Sequence, residues 1–139
     1  MARIGDFIDA AVAPVRADAF GAEVYERFQS EPNTLAIAVV DDEHRPVGLV
    51  ERNAFTLKMA AEFGRALYAR RPISALMDET PLIADVDAPA DRFLRQVSAS
   101  ELGALMRGFV VVKDGRYHGV GAALHVLQAG AAVYRLRAE

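Results

Sequence analysis

The chain has 139 residues, of which 53% are hydrophobic and 25% charged, with a formal net charge of -3 and a pI of about 5.6. That is one domain's length with enough apolar material for a core, and it carries no broad basic field for nucleic acid or an anionic membrane. The absence of cysteine removes disulfides, thiolate nucleophiles and cysteine-based zinc sites, and it fits a reducing compartment. Asp6 and Asp9 interrupt the first apolar segment, and no later apolar run reaches the ~18 residues of a membrane span. The expectation is a soluble, cytoplasmic chain.

Ile4, Phe7, Ile8, Ala11 and Val12 recur at helical spacing, predicting an amphipathic helix over the first dozen residues that stops near Pro14. A short strand follows near Val15 to Ala17. Asp18 is placed to cap a helix with Phe20, Val24 and Phe28 inward, broken at Pro32-Asn33, after which Thr34 to Val40 reads as a buried strand. A second helix is expected from Asn53, as its cap, through Phe55, Leu57, Met59, Ala60 and Phe63 to a terminator at Gly64. Arg65 to Arg71 bridges to one short helical turn over Pro72 to Met77. A strand at Leu82 to Val86 leads to Asp87 as the next cap and to a helix carrying Phe93, Leu94 and Val97. An extra turn over Glu101 to Met106 precedes a strand at Phe109 to Val112, and a terminal helix is expected from His125 to Arg137.

The stretch Val39-Val40-Asp41-Asp42-Glu43-His44-Arg45-Pro46-Val47-Gly48-Leu49-Val50 returns as Val110-Val111-Val112-Lys113-Asp114-Gly115-Arg116-Tyr117-His118-Gly119-Val120-Gly121. Both read as a strand, a tight polar turn and a second strand containing a glycine. Upstream, Asp18 to Phe28 aligns with Asp87 to Val97, so the chain is an internal duplication. Either unit alone is too small to bury its sheet, and two packed together make one core.

A βαββα unit repeated twice, with VVDDEHRPVGLVERNAF, then RPISALMDETPLIADVDAPADRFL, then VVVKDGRYHGVGAALHVL, resembles a tandem cystathionine-beta-synthase (CBS) domain pair, or Bateman module. The resemblance implies an α+β fold of two pseudo-symmetric βαββα repeats with extra N- and C-terminal helices. Repeat one spans about 11–66, the linker about 67–77, repeat two about 78–128 and the terminal helix about 125–139. By analogy of fold it further implies a non-catalytic regulatory module that binds a small anionic or nucleotide-like ligand, forms a homodimer and biases an attached or partner effector, such as a signalling output domain. The alternative is a dimerisation scaffold that has lost ligand binding, with Phe55, Met59, Phe93 and Leu94 serving the core and a symmetric dimer. An adenine nucleotide is the ligand class implied, although no specific cofactor follows from the residues. Three and six residues beyond the repeat glycine, where the family carries Ser or Thr and then Asp, this chain has Glu51 and Ala54 after Gly48, and Ala122 and His125 after Gly119. Glu51 sets a negative charge where an anion would approach, so the usual adenosine-phosphate arrangement is not expected in either copy.

The candidate ligand-binding residues are therefore Arg52, Arg70, Arg71 and His125. Arg70 and Arg71 offer bidentate guanidiniums ahead of the Pro72 turn, Arg52 adjoins the altered motif, and His125 stands at the family's Asp position with a titration range near neutrality. No catalytic triad and no metal-ligand spacing emerges: Asp41-Asp42-Glu43 is too compact for a calcium loop, and in Gly119-Val120-Gly121 the third dinucleotide-loop glycine is replaced by Leu124. Neither an enzyme nor a nucleic-acid or membrane partner is expected.

Overall fold

Five consecutive apolar residues, Ala36–Val40, are buried along their whole length. Such a strand must be covered on both faces. The computed structural model, which describes residues 3–8 and 12–122, covers it by a duplicated architecture. In repeat one, β1 (Val15–Arg16) pairs in parallel with β2 (Ala36–Val40), which pairs antiparallel with β3 (Pro46–Glu51). In repeat two, β4 (Ile83–Asp85) pairs in parallel with β5 (Phe109–Lys113), which pairs antiparallel with β6 (Arg116–Gly121). Each antiparallel pair shifts register at the equivalent place, between Val39 and Val40 in the first and between Val111 and Val112 in the second. The duplication thus extends to the irregularities of the sheets.

The helices are α1 (Gly21–Ser30), α2 (Arg52–Ala60), α3 (Gly64–Tyr68), α4 (Ala90–Gln96) and α5 (Leu102–Arg107). The two hairpins turn differently. Asp114 and Gly115 have φ of 54° and 78°, the left-handed pair that a two-residue turn needs between right-twisted strands. In repeat one Asp41 Oδ1 accepts from the amides of Glu43 and Arg45, both at 2.9 Å. These bonds, that of Arg45 foremost, hold the Asp41 carboxyl below its ordinary pKa.

One core cluster runs from α1 through β2, β3 and α2 and takes in Val110, Tyr117 and Val120 of repeat two. Another joins Ile4, Ala84, Phe93, Leu105, Phe109 and Val111. Alternation along β5 therefore sends Val110 to one core and Phe109 and Val111 to the other, so β5 is the wall the two cores share. Buried Tyr117 adds a hydrogen bond from its hydroxyl to the Val12 carbonyl at 2.5 Å.

Several local expectations are corrected. The N-terminal segment holds a 3-10 helix, Ile4–Phe7, and Ile8 is already extended. Its amides are drawn into another pairing: Ile4 donates to Ala88 O and Gly5 to Val86 O, both at 2.9 Å, docking the segment on repeat two. Asp18 does not cap α1. The cap position is Phe20, half exposed rather than inward, and the free amides of Gly21 and Ala22 donate to the carbonyls of Arg71 and Ala69 in the inter-repeat segment. Asp87 does not cap α4 either, since Pro89 holds that position and Asp87 pairs with Arg3 at 3.4 Å. Helix α2 starts at Arg52 with Glu51 as its cap, so Asn53 is inside it; Phe55 and Met59 face inward while Leu57 and Phe63 are exposed. Gly64 opens α3 instead of closing α2. A Cβ there would lie 2.1 Å from the Lys58 carbonyl oxygen, which is why the tight corner needs glycine. The expected terminal helix from His125 lies outside the described residues.

Candidate ligand-binding cleft

Strand β3 passes into α2 without a loop, so the start of that helix is fixed to the sheet edge. The segment joining the repeats is laid across β3 by a reciprocal pair of bonds: Leu49 N donates to Asp78 O at 3.0 Å, and Asp78 N to Leu49 O at 2.8 Å. Gly48 permits this approach, because a Cβ would stand 2.3 Å from the Met77 sulfur and 3.0 Å from the Asp78 carbonyl oxygen. On the other side, α5 of repeat two ends at Gly108, whose φ of 127° brings the chain beside Ala36.

Between these elements lies a cleft of about 210 Å³. Leu49, Val50, Phe55 and Gly108 form its buried floor, while Ala54, Lys58, Asp78 and Arg107 stand exposed around its mouth. Repeat one supplies Lys58 and repeat two Arg107. Among the described residues neither cation has an ion-pair or hydrogen-bond partner. Both carboxylates of the cleft, by contrast, are engaged with backbone. Glu51 Oε2 accepts from Ala54 N at 2.7 Å, and Asp78 Oδ1 accepts from Thr80 N at 2.9 Å. The helix start that would attract an anion thus already holds one of its own.

Of the four sequence candidates, none of the three that are described lines this cleft. Arg52 points under the sheet edge: Nε donates to Thr34 O at 2.7 Å, and one terminal nitrogen donates to Phe28 O at 2.7 Å and Glu31 O at 2.5 Å, with the guanidinium carbon 4.9 Å from the Phe28 ring centroid. It ties α1 to β2 and is not a lining residue of the cleft. Beside it, Arg27 bonds the Glu31 carboxylate at 2.7 Å and holds that carboxyl below its ordinary pKa. Arg70 and Arg71 are exposed and also absent from the lining, Arg71 contributing its carbonyl to the start of α1. His125 lies outside the described residues. Lys58 and Arg107, which do line the cleft, are not among the sequence candidates. Glu51, Ala54, Phe55 and Lys58 do share one helix face, a signal that was readable once the helix is begun at Glu51. Nothing local marks Arg107, which reaches the cleft only through packing of the repeats.

Among the described residues no helix is long and apolar enough to cross a membrane, and no group of three or more His, Asp or Glu could hold a metal ion.

No family model and no curated protein sequence matches the chain. Solved structures do. The CBS-pair protein CBSX2 from Arabidopsis thaliana superposes with a TM-score of 0.74 at 20% identity, covering 96% of each chain. Its complex with AMP superposes with a TM-score of 0.72, again at 20% identity, over 96% of this chain and 99% of that one. The CBS domain pair of protein MJ0100, solved with 5-methylthioadenosine and S-adenosyl-L-methionine, gives 0.73 at 16% identity over 95% and 98%. With two equivalent sheets, an inter-repeat segment laid on β3 and near-complete superposition on these structures, the chain has the fold of a tandem CBS-domain pair.

Proposed function

We propose that the chain is a non-catalytic regulatory module that binds a small anionic or nucleotide-like ligand in the cleft between its repeats and passes the resulting change in packing to an attached or partner effector. The observation that carries this reading is a pair of cations, Lys58 and Arg107, set on the same cleft by different repeats and without an ion-pair partner among the described residues. An anion bridging them would change the balance between two packings of the repeats, which is all that ligand-driven regulation requires. Similar folds solved with AMP, with S-adenosyl-L-methionine and with ATP support adenine-bearing ligands as the first to try. A volume of about 210 Å³ lies below the ~300 Å³ at which sites for drug-sized ligands begin, so the floor takes one part of a ligand and the rest extends past the mouth.

The scaffold reading has its own support in exposed Leu57, Phe63 and Leu67 on α2, the turn after it and α3, an apolar surface suited to a second copy. Phe55, Met59 and Phe93 are buried within the chain and do not serve such a face. Thermal unfolding with AMP, ATP, 5-methylthioadenosine and S-adenosyl-L-methionine separates the two readings. A ligand at ~100 times its dissociation constant adds about 2.7 kcal/mol, which is several degrees for a domain of this size. The regulatory reading expects such a shift from at least one of the four. No shift with any of them returns the chain to the scaffold reading.

A further inference from the structure

Resting on that ligand-binding reading, we infer that α5 is a lid over the cleft: it closes onto the part of the ligand that the floor leaves outside, and its movement is the change in packing that an effector reads. The two repeats part company in one connection. Residues 31–35 join α1 to β2 in repeat one, whereas residues 97–108 join α4 to β5 in repeat two and hold α5. Through Ala104, Arg107 and Gly108 this longer connection forms one wall of the cleft, facing β3, α2 and the segment that joins the repeats.

The other walls are bonded in place. Strand β3 runs directly into α2. The joining segment is fastened to repeat one at both ends, by Ile73 N to Ala19 O at 2.6 Å and Ser74 N to Ala17 O at 3.1 Å, and by the two bonds between Leu49 and Asp78. Helix α5 has no such fastening. Among the described residues, no hydrogen bond or ion pair joins residues 98–107 to another element. Leu105 is the one buried residue of α5, in the core cluster of Phe93 and Phe109, while Leu102 and Met106 stand 54% and 61% exposed. Both ends suit a pivot: the 3-10 turn Ala99–Glu101 precedes the helix, and buried Gly108 follows it at a φ of 127°, which residues with a side chain rarely adopt. A helix held by one leucine between such ends moves more readily than a wall bonded at both ends. At about 210 Å³ the cleft encloses only part of a nucleotide-sized ligand, so a movable wall at its mouth has something to close upon.

The chain has no cysteine, so introduced thiols can be spin-labelled in pairs without removing a native one. Gln29→Cys on α1 is the fixed reference, paired with Leu102→Cys on α5 or with Lys113→Cys at the end of β5; all three positions are exposed and none lines the cleft. Pulsed electron-spin distances are measured in the full chain with and without saturating AMP, ATP, 5-methylthioadenosine or S-adenosyl-L-methionine, binding of each being followed by calorimetry. On binding, the distance from position 29 to 102 is expected to shift by roughly 5 Å, one helical turn, and to narrow in spread, while that from 29 to 113 stays within about 1 Å. With a ligand bound, an unchanged distance to 102 makes α5 a fixed wall, and a change at 113 as large as that at 102 makes the repeats move as rigid bodies. Either result overturns the lid and leaves the cleft a ligand site. If none of the four compounds binds, the ligand-binding reading fails, and the lid with it.

Discussion

Arg52→Met should lower the unfolding free energy by about 3 kcal/mol. The substitution keeps an unbranched apolar stem and removes the donors that now satisfy the carbonyls of Phe28, Glu31 and Thr34. A hydrogen bond to a charged group contributes ~1.5–3 kcal/mol, and an acceptor left buried without a partner costs ~1–3 kcal/mol. Because Arg52 is only partly buried, water replaces some of these bonds and keeps the total well below the sum of three. Arg52→Lys should recover only part of the loss, since one ammonium cannot reproduce a planar fork reaching three carbonyls. Urea denaturation of the three proteins measures this. Should Arg52→Met keep wild-type stability and lose ligand affinity, Arg52 would belong to the binding site after all.

Phe28→Ala is expected to have the largest effect on stability, about 4 kcal/mol. Its side chain is fully buried at the centre of the first core cluster, with its ring centroid 5.9 Å from that of Phe55 and the Arg52 guanidinium over its face. Deleting a buried phenyl typically costs ~3–5 kcal/mol, the upper part arising where neighbours cannot collapse into the space. Collapse is restricted here because β2 is packed on both sides. The ring and Arg52 touch, so the double variant should lose less than the sum of the single losses. A single cooperative transition is expected for Phe28→Ala, because the damaged cluster includes Val110, Tyr117 and Val120 of the second repeat. Separate melting of the two repeats would show that the shared wall at β5 does not couple them.

The features legible in the sequence were those encoded by neighbours along the chain. Continuous apolar runs marked β2 and β5, the polar tetrads after them marked tight turns, and the matched hairpins marked the duplication before any strand pairing was known. Pro72 to Met77 was recognisable as a short turn and contains the 3-10 helix Ile73–Ala75. What failed depended on distant partners. Asp18 and Asp87 have the chemistry of helix caps, yet the amides at the start of α1 are met by carbonyls some fifty residues away. Asn53 has the chemistry of a cap, but β3 runs straight into α2 and leaves Glu51 in the cap position. Leu57 lies off the face that carries Phe55 and Met59, and Phe63 falls beyond the end of α2, so both are exposed.

The cations that line the cleft were hidden for the same reason. Arginine is the residue expected at an anion site, but guanidiniums are equally suited to collecting backbone carbonyls, and Arg52 does the latter. Lys58 and Arg107 are unremarkable in their own segments. They come to line one cleft only when the two repeats pack together.

Amide hydrogen exchange with and without saturating AMP tests the central claim most directly, because it locates the ligand without removing any side chain. The account predicts slowed exchange at Ala54 and Phe55, at Met77 and Asp78, and at Arg107 and Gly108, the three segments that meet at the cleft. Binding accompanied by protection around Arg70 and Arg71, with those three segments unchanged, would contradict it.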